Sequence, residues 1–250
     1  MSMAAQLRRL SRHPVATLRS PIRAGFFTRR HPELGHLIGQ VRARRLTFLS
    51  HECLIDLAEA VLAMERRGLP GAVVEAGAAL GGSAIVLGKA KAPSRPMKVY
   101  DTFGMIPPPA DRDGRDVHER YAAIASGKAT GIGGETYYGY RDNLLGEVGD
   151  NFRTLGVPAE AHSVEFVQGL YEDTLRVTYP VAFAHVDCDW YESVMTCLRQ
   201  IEPRLVPGGR LVIDDYDHWS GCRTAVDEYF AGRTGYTFVR RSRLHIVKAG

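Results

Sequence analysis

Four aspartates stand at two places where a short apolar run ends. Asp187 and Asp189 flank Cys188 in His185-Val186-Asp187-Cys188-Asp189-Trp190-Tyr191, and Asp214-Asp215 follow Leu211-Val212-Ile213. Both runs read as buried strands, and one helical stretch joins them. A right-handed crossover then makes them parallel neighbours or near neighbours, with their carboxylates at one sheet edge. Clustered carboxylates repel unless a cation or protons lie among them. The all-oxygen set Asp187, Asp214 and Asp215 suits Mg2+ or another hard divalent ion. A single aspartate at such a place is more often a helix cap or an arginine partner; four at two adjacent strand ends favour a site. A metal there would lower the pKa of a bound hydroxyl, and a carboxylate could take its proton. Asp189, two residues past a metal ligand, is the expected base, with Asp187 as the alternative. His185 reads as a satisfied core histidine, and His218 and Trp219 either line an acceptor pocket or pack a loop.

A second constellation lies earlier in the chain. Ala72-Val73-Val74-Glu75-Ala76 reads as a strand that runs into the turn Gly77-Ala78-Ala79-Leu80-Gly81-Gly82-Ser83. Glycines allow a tight bend and close approach of a ligand to the backbone, and the helix that follows offers free N–H groups. That turn alone also fits a degenerate dinucleotide fingerprint. Glu75 shifts the reading: a carboxylate there repels a pyrophosphate but pairs with an ammonium, which S-adenosylmethionine carries. Asp101, at the end of the next strand, can accept ribose hydroxyls; Phe103 can pack on an adenine and Gln168 can hydrogen-bond near it. The expected cofactor set is Glu75, Gly77, Gly81, Gly82, Ser83, Asp101, Thr102, Phe103 and Gln168.

The elements that must carry these residues alternate. Strands at 72–76, 97–100, 164–167, 181–186 and 211–213 are interleaved with helical stretches at 83–91 and 193–205, with Pro207-Gly208-Gly209 as a turn. Alternation of this kind specifies a doubly wound, mostly parallel α/β sheet, and ligands bind such sheets beyond the carboxyl ends of the strands. Residues 236–239 and 244–247 read as a hairpin, which makes the C-terminal strand antiparallel to its neighbour. Ser50 is the expected N-cap of a helix with an apolar stripe from Leu54 to Leu62, ended by Gly68 and Pro70. Residues 103–160 interrupt the alternation with Pro107-Pro108-Pro109, glycines and tyrosines. An insertion that leaves directly from a strand end beside the cofactor turn reads as a lid.

Composition sets the outer bounds. With 250 residues, 45% of them hydrophobic, the chain can bury one sizeable core. No apolar run approaches the roughly 20 residues of a membrane span, and the N-terminus lacks a secretory pattern, so a cytoplasmic protein is expected. Cys53, Cys188, Cys197 and Cys222 form no CxxC pair and read as reduced thiols. Residues 1–45 hold ten arginines and one acid, Glu33, for a net +9; the remainder, with 22 basic and 27 acidic residues, is −5. The basic head, broken by Pro14, Pro21 and Pro32, is expected as a partly ordered arm over 1–49, before a catalytic domain over 50–250. It can serve as a peripheral contact or as the edge of a homo-oligomer. Without aromatic interleaving or a nucleic-acid module, no nucleic acid is expected.

Taken together, Glu75-Ala76-Gly77…Gly81-Gly82-Ser83, Asp101-Thr102-Phe103, His185 to Tyr191, and Pro207-Gly208-Gly209…Asp214-Asp215-Tyr216 resemble the macrocin O-methyltransferase family, as does Gly221-Cys222-Arg223…Ala225-Val226-Asp227-Glu228. The resemblance runs from about Ser50 to the C-terminus. It implies a seven-stranded, Rossmann-like class I methyltransferase fold. It also implies S-adenosylmethionine as donor, Mg2+ on Asp187, Asp214 and Asp215, a base at Asp189, and a sugar hydroxyl of a glycosylated natural product or glycolipid as acceptor. Two positions depart from the family pattern: Ala79-Leu80 stand where a Trp-Arg-like pair is usual, and Thr102 replaces serine. Two rival readings remain at this point. An NAD-dependent oxidoreductase would call for a Tyr-x-x-x-Lys or similar pair, which is absent, and leaves the aspartates unexplained; a non-catalytic α/β binding module, with the basic head as its partner surface, would bind no cofactor.

Overall fold

The computed structural model describes residues 20–250, the side chains of residues 20 and 21 excepted. The basic arm expected over residues 1–49 therefore lies in part outside the described residues. Two helices open the described chain, α1 (Ser20–Arg30) and α2 (Pro32–Ala43). Proline heads α2 at a position where the missing N–H costs nothing. Phe27, Leu34, Leu37, Ile38, Val41, Leu46 and Leu49 are buried in the same core as the sheet. Helix α3 (His51–Arg66) follows, with the Ser50 hydroxyl accepting from Cys53 N–H at 3.2 Å.

The sheet is built from β1 (Ala72–Ala76), β2 (Met97–Asp101), β3 (Val164–Gln168), β4 (Val181–Val186), β5 (Leu205–Ile213), β6 (Tyr236–Arg240) and β7 (Leu244–Lys248). Their order is β3-β2-β1-β4-β5-β7-β6. The first five are parallel, and β7 runs antiparallel to both β5 and β6. This is the mostly parallel, seven-stranded class I methyltransferase sheet. Strands β1 and β4 lie side by side at the centre, where the winding reverses, and their carboxyl ends form the crevice in which such folds bind ligands.

Helices α4 (Gly82–Ala90), α5 (Arg115–Ala125), α6 (Leu144–Thr154), α7 (Tyr171–Thr174), α8 (Tyr191–Ile201) and α9 (Ser220–Tyr229) complete the chain. Two boundaries differ from the sequence reading. Helix α8 begins at Tyr191 and ends at Ile201, and Pro207-Gly208-Gly209 lie within β5. The β4–β5 register shifts between Val181 and Phe183, so the glycines are absorbed by a bulge and form no separate turn.

The stretch between β2 and β3 divides in two. Leu144, Val148 and Phe152 of α6 are buried in the main core, each such side chain contributing about 1.5–3 kcal/mol by burial. Ile124, Ala129 and Tyr137 form a small cluster of their own, with Ile106, Tyr138 and Tyr140 packed against it.

Candidate active site

The carboxyl ends of β1, β2, β4 and β5 open into a cavity of about 570 Å3. Gly77, Ala78, Ala79 and Ser83 line it from the glycine turn, Asp101 and Thr102 from β2, and Asp187, Asp189, Asp214 and Asp215 from the two acidic motifs. The turn packs against the loop after β4. A Cβ on Gly77, at φ 94°, would stand 1.7 Å from the Asp187 carbonyl oxygen, so no side chain can occupy that position. Asp187 N–H in turn donates to the Ala76 carbonyl at 2.8 Å.

Asp187, Asp189 and Asp215 each place a carboxylate oxygen within 4.8 Å of the others. Burial, with the facing carboxylates second, holds Asp187 and Asp215 well above the usual carboxylate range. Asp189 is pushed up to about 6, mainly by burial. One oxygen of Asp215 is buried without a hydrogen-bond partner among the described residues. Leaving a buried acceptor unpaired is costly, and a cation or a proton is what it lacks. Asp189 sits at φ 59° in a tight turn closed by Trp190 N–H to the Cys188 carbonyl at 2.7 Å. Aspartate tolerates that left-handed conformation better than most residues, and strain of this kind gathers at functional sites.

Asp214 differs. Its Oδ1 accepts from Arg243 Nε at 2.7 Å and faces His185 Nε2 at 3.5 Å. His185 Nδ1 lies 2.9 Å from Glu75 Oε1. Burial opposes protonation of this imidazole, but the hydrogen bonds and charges of Asp214 and Glu75 outweigh it and raise its pKa to about 9. Asp214 is correspondingly held below the ordinary range: burial would raise it, and His185 and Arg243 overcome that. His185 is thus the satisfied core histidine of the sequence reading, and its two carboxylate partners make it a clamp between β1 and β5.

Several expected cofactor residues do not reach the cavity. Glu75 is fully buried and turned toward His185. Gly81 and Gly82 form the start of α4, behind the turn. Phe103, at φ 46°, is buried in the core edge-on to Phe166. Gln168 is exposed and donates to the Thr102 carbonyl at 3.2 Å. Asp101 does line the cavity, but its oxygens accept from the N–H groups of Ala78 (2.6 Å), Ala79 (3.2 Å) and Phe103 (2.7 Å) and from the Thr102 hydroxyl (3.3 Å). About four acceptor positions exist on a carboxylate, and Asp101 uses two on the glycine turn and two on its own loop.

The structure also adds residues to the site. Thr47, Phe48 and Leu49 line the cavity from the segment before α3, and Arg120, Ile124, Tyr137 and Tyr138 line it from the insertion. The insertion is fastened to the acidic loop: Trp190 Nε1 donates to the Pro107 carbonyl at 3.0 Å, and Tyr191 N–H donates to Asp113 at 2.8 Å. Arg120 lies over the Tyr137 ring at 5.7 Å, and its charge favours ionised Asp189. No spacing in the chain signals these contacts. Only Arg243 had a cue, since its neighbour Leu244 pairs with Ile213 in the sheet.

The family profile described as Macrocin-O-methyltransferase (TylF) matches residues 39–235, well over half of the chain. An 8-demethyl-8-(2,3-dimethoxy-alpha-L-rhamnosyl)-tetracenomycin-C 4'-O-methyltransferase of Streptomyces olivaceus is 31% identical over 217 residues, covering 82% of this chain and 70% of its own. A mycinamicin III 3''-O-methyltransferase of Micromonospora griseorubida is 30% identical over 195 residues, covering 73% and 69%. Among solved structures, the O-methyltransferase NovP superposes with a TM-score of 0.68 at 24% identity, over 82% of this chain and 83% of that one. The O-methyltransferase TomG from Streptomyces achromogenes, solved in complex with SAM, does so at 0.53 and 14%, over 99% and 96%. These two likenesses concern the fold. Neither a dinucleotide-dependent oxidoreductase nor a non-catalytic module accounts for the family match. The chain belongs to the macrocin-O-methyltransferase family and is an S-adenosylmethionine-dependent O-methyltransferase.

Proposed function

We propose that this O-methyltransferase methylates a sugar hydroxyl of a glycosylated natural product or glycolipid, with Mg2+ held at the acidic cluster. The observation that carries the metal is the convergence of the Asp187, Asp189 and Asp215 carboxylates, with one buried Asp215 oxygen left without a partner. An all-carboxylate donor set fits a hard divalent ion. Asp187, Asp214 and Asp215 would hold it; both charged contacts of Asp214 fall on Oδ1, and its Oδ2 takes no hydrogen bond among the described residues. Such an ion supplies a lowered pKa to an acceptor hydroxyl. The sugar acceptor is supported by the Streptomyces olivaceus relative, whose name states a rhamnosyl compound as its substrate.

The chain's own groups divide the remaining work. The Gly77–Ser83 turn and Thr102 border a cavity large enough for a nucleoside-sized donor. S-adenosylmethionine, when bound, supplies the electrophilic methyl group. Asp189 takes the proton from the acceptor oxygen, and Arg120 keeps that carboxylate ionised. Residues 103–160 act as the lid: Tyr137 and Tyr138 line the cavity from it, facing a wall that Phe48 supplies from before α3, and the Trp190 and Asp113 bonds fasten the insertion to the acidic loop. The four cysteines are free and buried, in keeping with a cytoplasmic site of action. No helix of the described residues is long and apolar enough to cross a membrane.

Two measurements test this reading. Titration calorimetry with S-adenosylhomocysteine, with and without Mg2+, should show binding of both. Incubation with labelled methyl donor and a panel of glycosides should label a sugar oxygen, and thorough chelation should abolish the transfer. Turnover indifferent to chelation would remove the metal, and labelling confined to non-sugar hydroxyls would remove the acceptor class.

A further inference from the structure

A second cavity, of about 310 Å3, shares no lining residue with the first. Its wall carries Arg23, Arg30, Arg66, Arg210, Arg241 and His31. The five guanidinium groups come from four places: α1 supplies Arg23 and Arg30, α3 ends on Arg66, β5 supplies Arg210, and the turn between β6 and β7 supplies Arg241. Charges of one sign gathered from separate elements repel, and the fold keeps them together only at a cost.

The nearby acids are spent on two of the five. Arg23 pairs with Asp56, with Glu59 at 2.7 Å and with Glu52 at 3.5 Å; Arg241 lies 3.5 Å from Asp56 and 3.7 Å from Glu59. Arg30, Arg66 and Arg210 form no ion pair among the described residues. The undescribed N-terminal residues cannot supply a carboxylate, because no Asp or Glu precedes Glu33, and Glu33 itself pairs with Lys89. Arg210, half-buried, is bonded to His245 Nδ1 at 3.1 Å. Burial and the Arg210 charge push His245 down to about 3, so this partner is neutral. Five arginines against Glu52, Asp56 and Glu59 leave two positive charges around one concave site.

We propose that this cavity binds a phosphate group, carried by a soluble phosphorylated ligand or by a lipid headgroup. Guanidinium forks match phosphate oxygens in pairs, and their convergence from several elements gives a preformed cradle. Glu59, paired with Arg23 and Arg241, also lines the cavity, and the remaining wall is apolar, with Phe26, Phe27 and Leu62. Phe26 is 70% exposed, and Ile22, one turn earlier on α1, is 64% exposed. The site therefore accepts an anion with an apolar portion.

The test uses the full-length chain and two probes. Pyrophosphate is titrated by calorimetry, and the protein is sedimented with phosphatidylcholine vesicles with and without phosphatidylglycerol. Pyrophosphate binding assigns a soluble ligand; binding confined to phosphatidylglycerol vesicles assigns a headgroup. In either case Arg30→Gln/Arg66→Gln, both at exposed positions, should weaken binding about tenfold or more. Arg210→Gln is a second variant with the same expectation. Arg115→Gln/Arg153→Gln, the same charge change elsewhere, should leave binding unaltered. S-adenosylhomocysteine binding by every variant reports that the fold and the methyl-donor site are intact. The proposal is overturned if neither probe binds, if the cavity variants bind as wild type does, or if the control pair loses as much as they do.

Discussion

Asp214 and Asp215 are adjacent in sequence and equally buried, each 7% exposed, yet they sit in opposite electrostatic surroundings. Asp214 faces two cations, His185 and Arg243, and its carboxylate is ionised below the usual range. Asp215 faces two carboxylates, Asp187 and Asp189, and has an oxygen with no partner. Successive side chains leave a strand end in different directions, so one residue's step separates a settled ion pair from an unsettled acid cluster. The first surroundings use Asp214 Oδ1 to hold strands together and leave Oδ2 for the proposed metal; the second are fit for a ligand that brings positive charge. Compensation, more than burial, distinguishes the two acids.

The largest expected effect comes from removing a charge on the unsettled side. Asp215→Asn should abolish Mg2+ binding by calorimetry and lower kcat on the order of 10^3-fold, the several kcal/mol that a lost Lewis acid represents. A variant that keeps wild-type turnover and metal affinity would break the comparison. Asp189→Asn should lower kcat about 10^2-fold, toward the small end of general-base effects because the metal has already eased deprotonation. Its Mg2+ affinity should stay largely intact, and a large loss would move Asp189 into the coordination set.

Stability without metal should then move in opposite directions. Asp214→Asn leaves His185 and Arg243 partly uncompensated, and should destabilise the metal-free protein by about 3 kcal/mol in denaturant unfolding. Asp215→Asn relieves repulsion and should raise the metal-free Tm by a few degrees, on the order of 1 kcal/mol. Equal signs for the two variants would refute the distinction drawn here.

The smallest effects are those of pH. His185 has a folded pKa raised to about 9, so its contribution to stability is complete below the unfolded value near 6.5 and is lost as pH rises through about 9. The metal site responds at the other end. Asp189 at about 6, and Asp187 and Asp215 above the usual range, bind protons as pH falls, and protons exclude the cation. Mg2+ affinity measured by calorimetry should thus fall as the pH is lowered, while unfolding experiments should show the His185 loss on the alkaline side.

Much of this was legible in the chain because it rests on short-range pattern. Five β-rich runs, a glycine turn after the first, and aspartates at the ends of two others place a ligand crevice without coordinates. The Ser50 cap and the C-terminal hairpin were legible for the same reason, since each depends on a few contiguous residues. Phe103 shows where such reading stops: its position after Asp101 suggests an adenine platform, but a left-handed backbone turns the ring into the core against Phe166. Pro207-Gly208-Gly209 reads as a turn, and only pairing with β4 makes it a bulged strand.

Sequence alone therefore determined the sheet class, the glycine turn and the presence of four acids at one edge, since strand ends and crossover handedness follow from local pattern and chain chirality. The tertiary structure decided which acids are neutralised. His185 reaches Glu75 and Asp214 only because β1, β4 and β5 lie side by side, and Arg243 reaches Asp214 only because β7 folds back against β5. The arginine cavity has the same origin, in side chains distant along the chain and brought together by packing. Charge compensation acts through space over a few ångströms, and contiguous sequence carries no record of which distant groups will share that space.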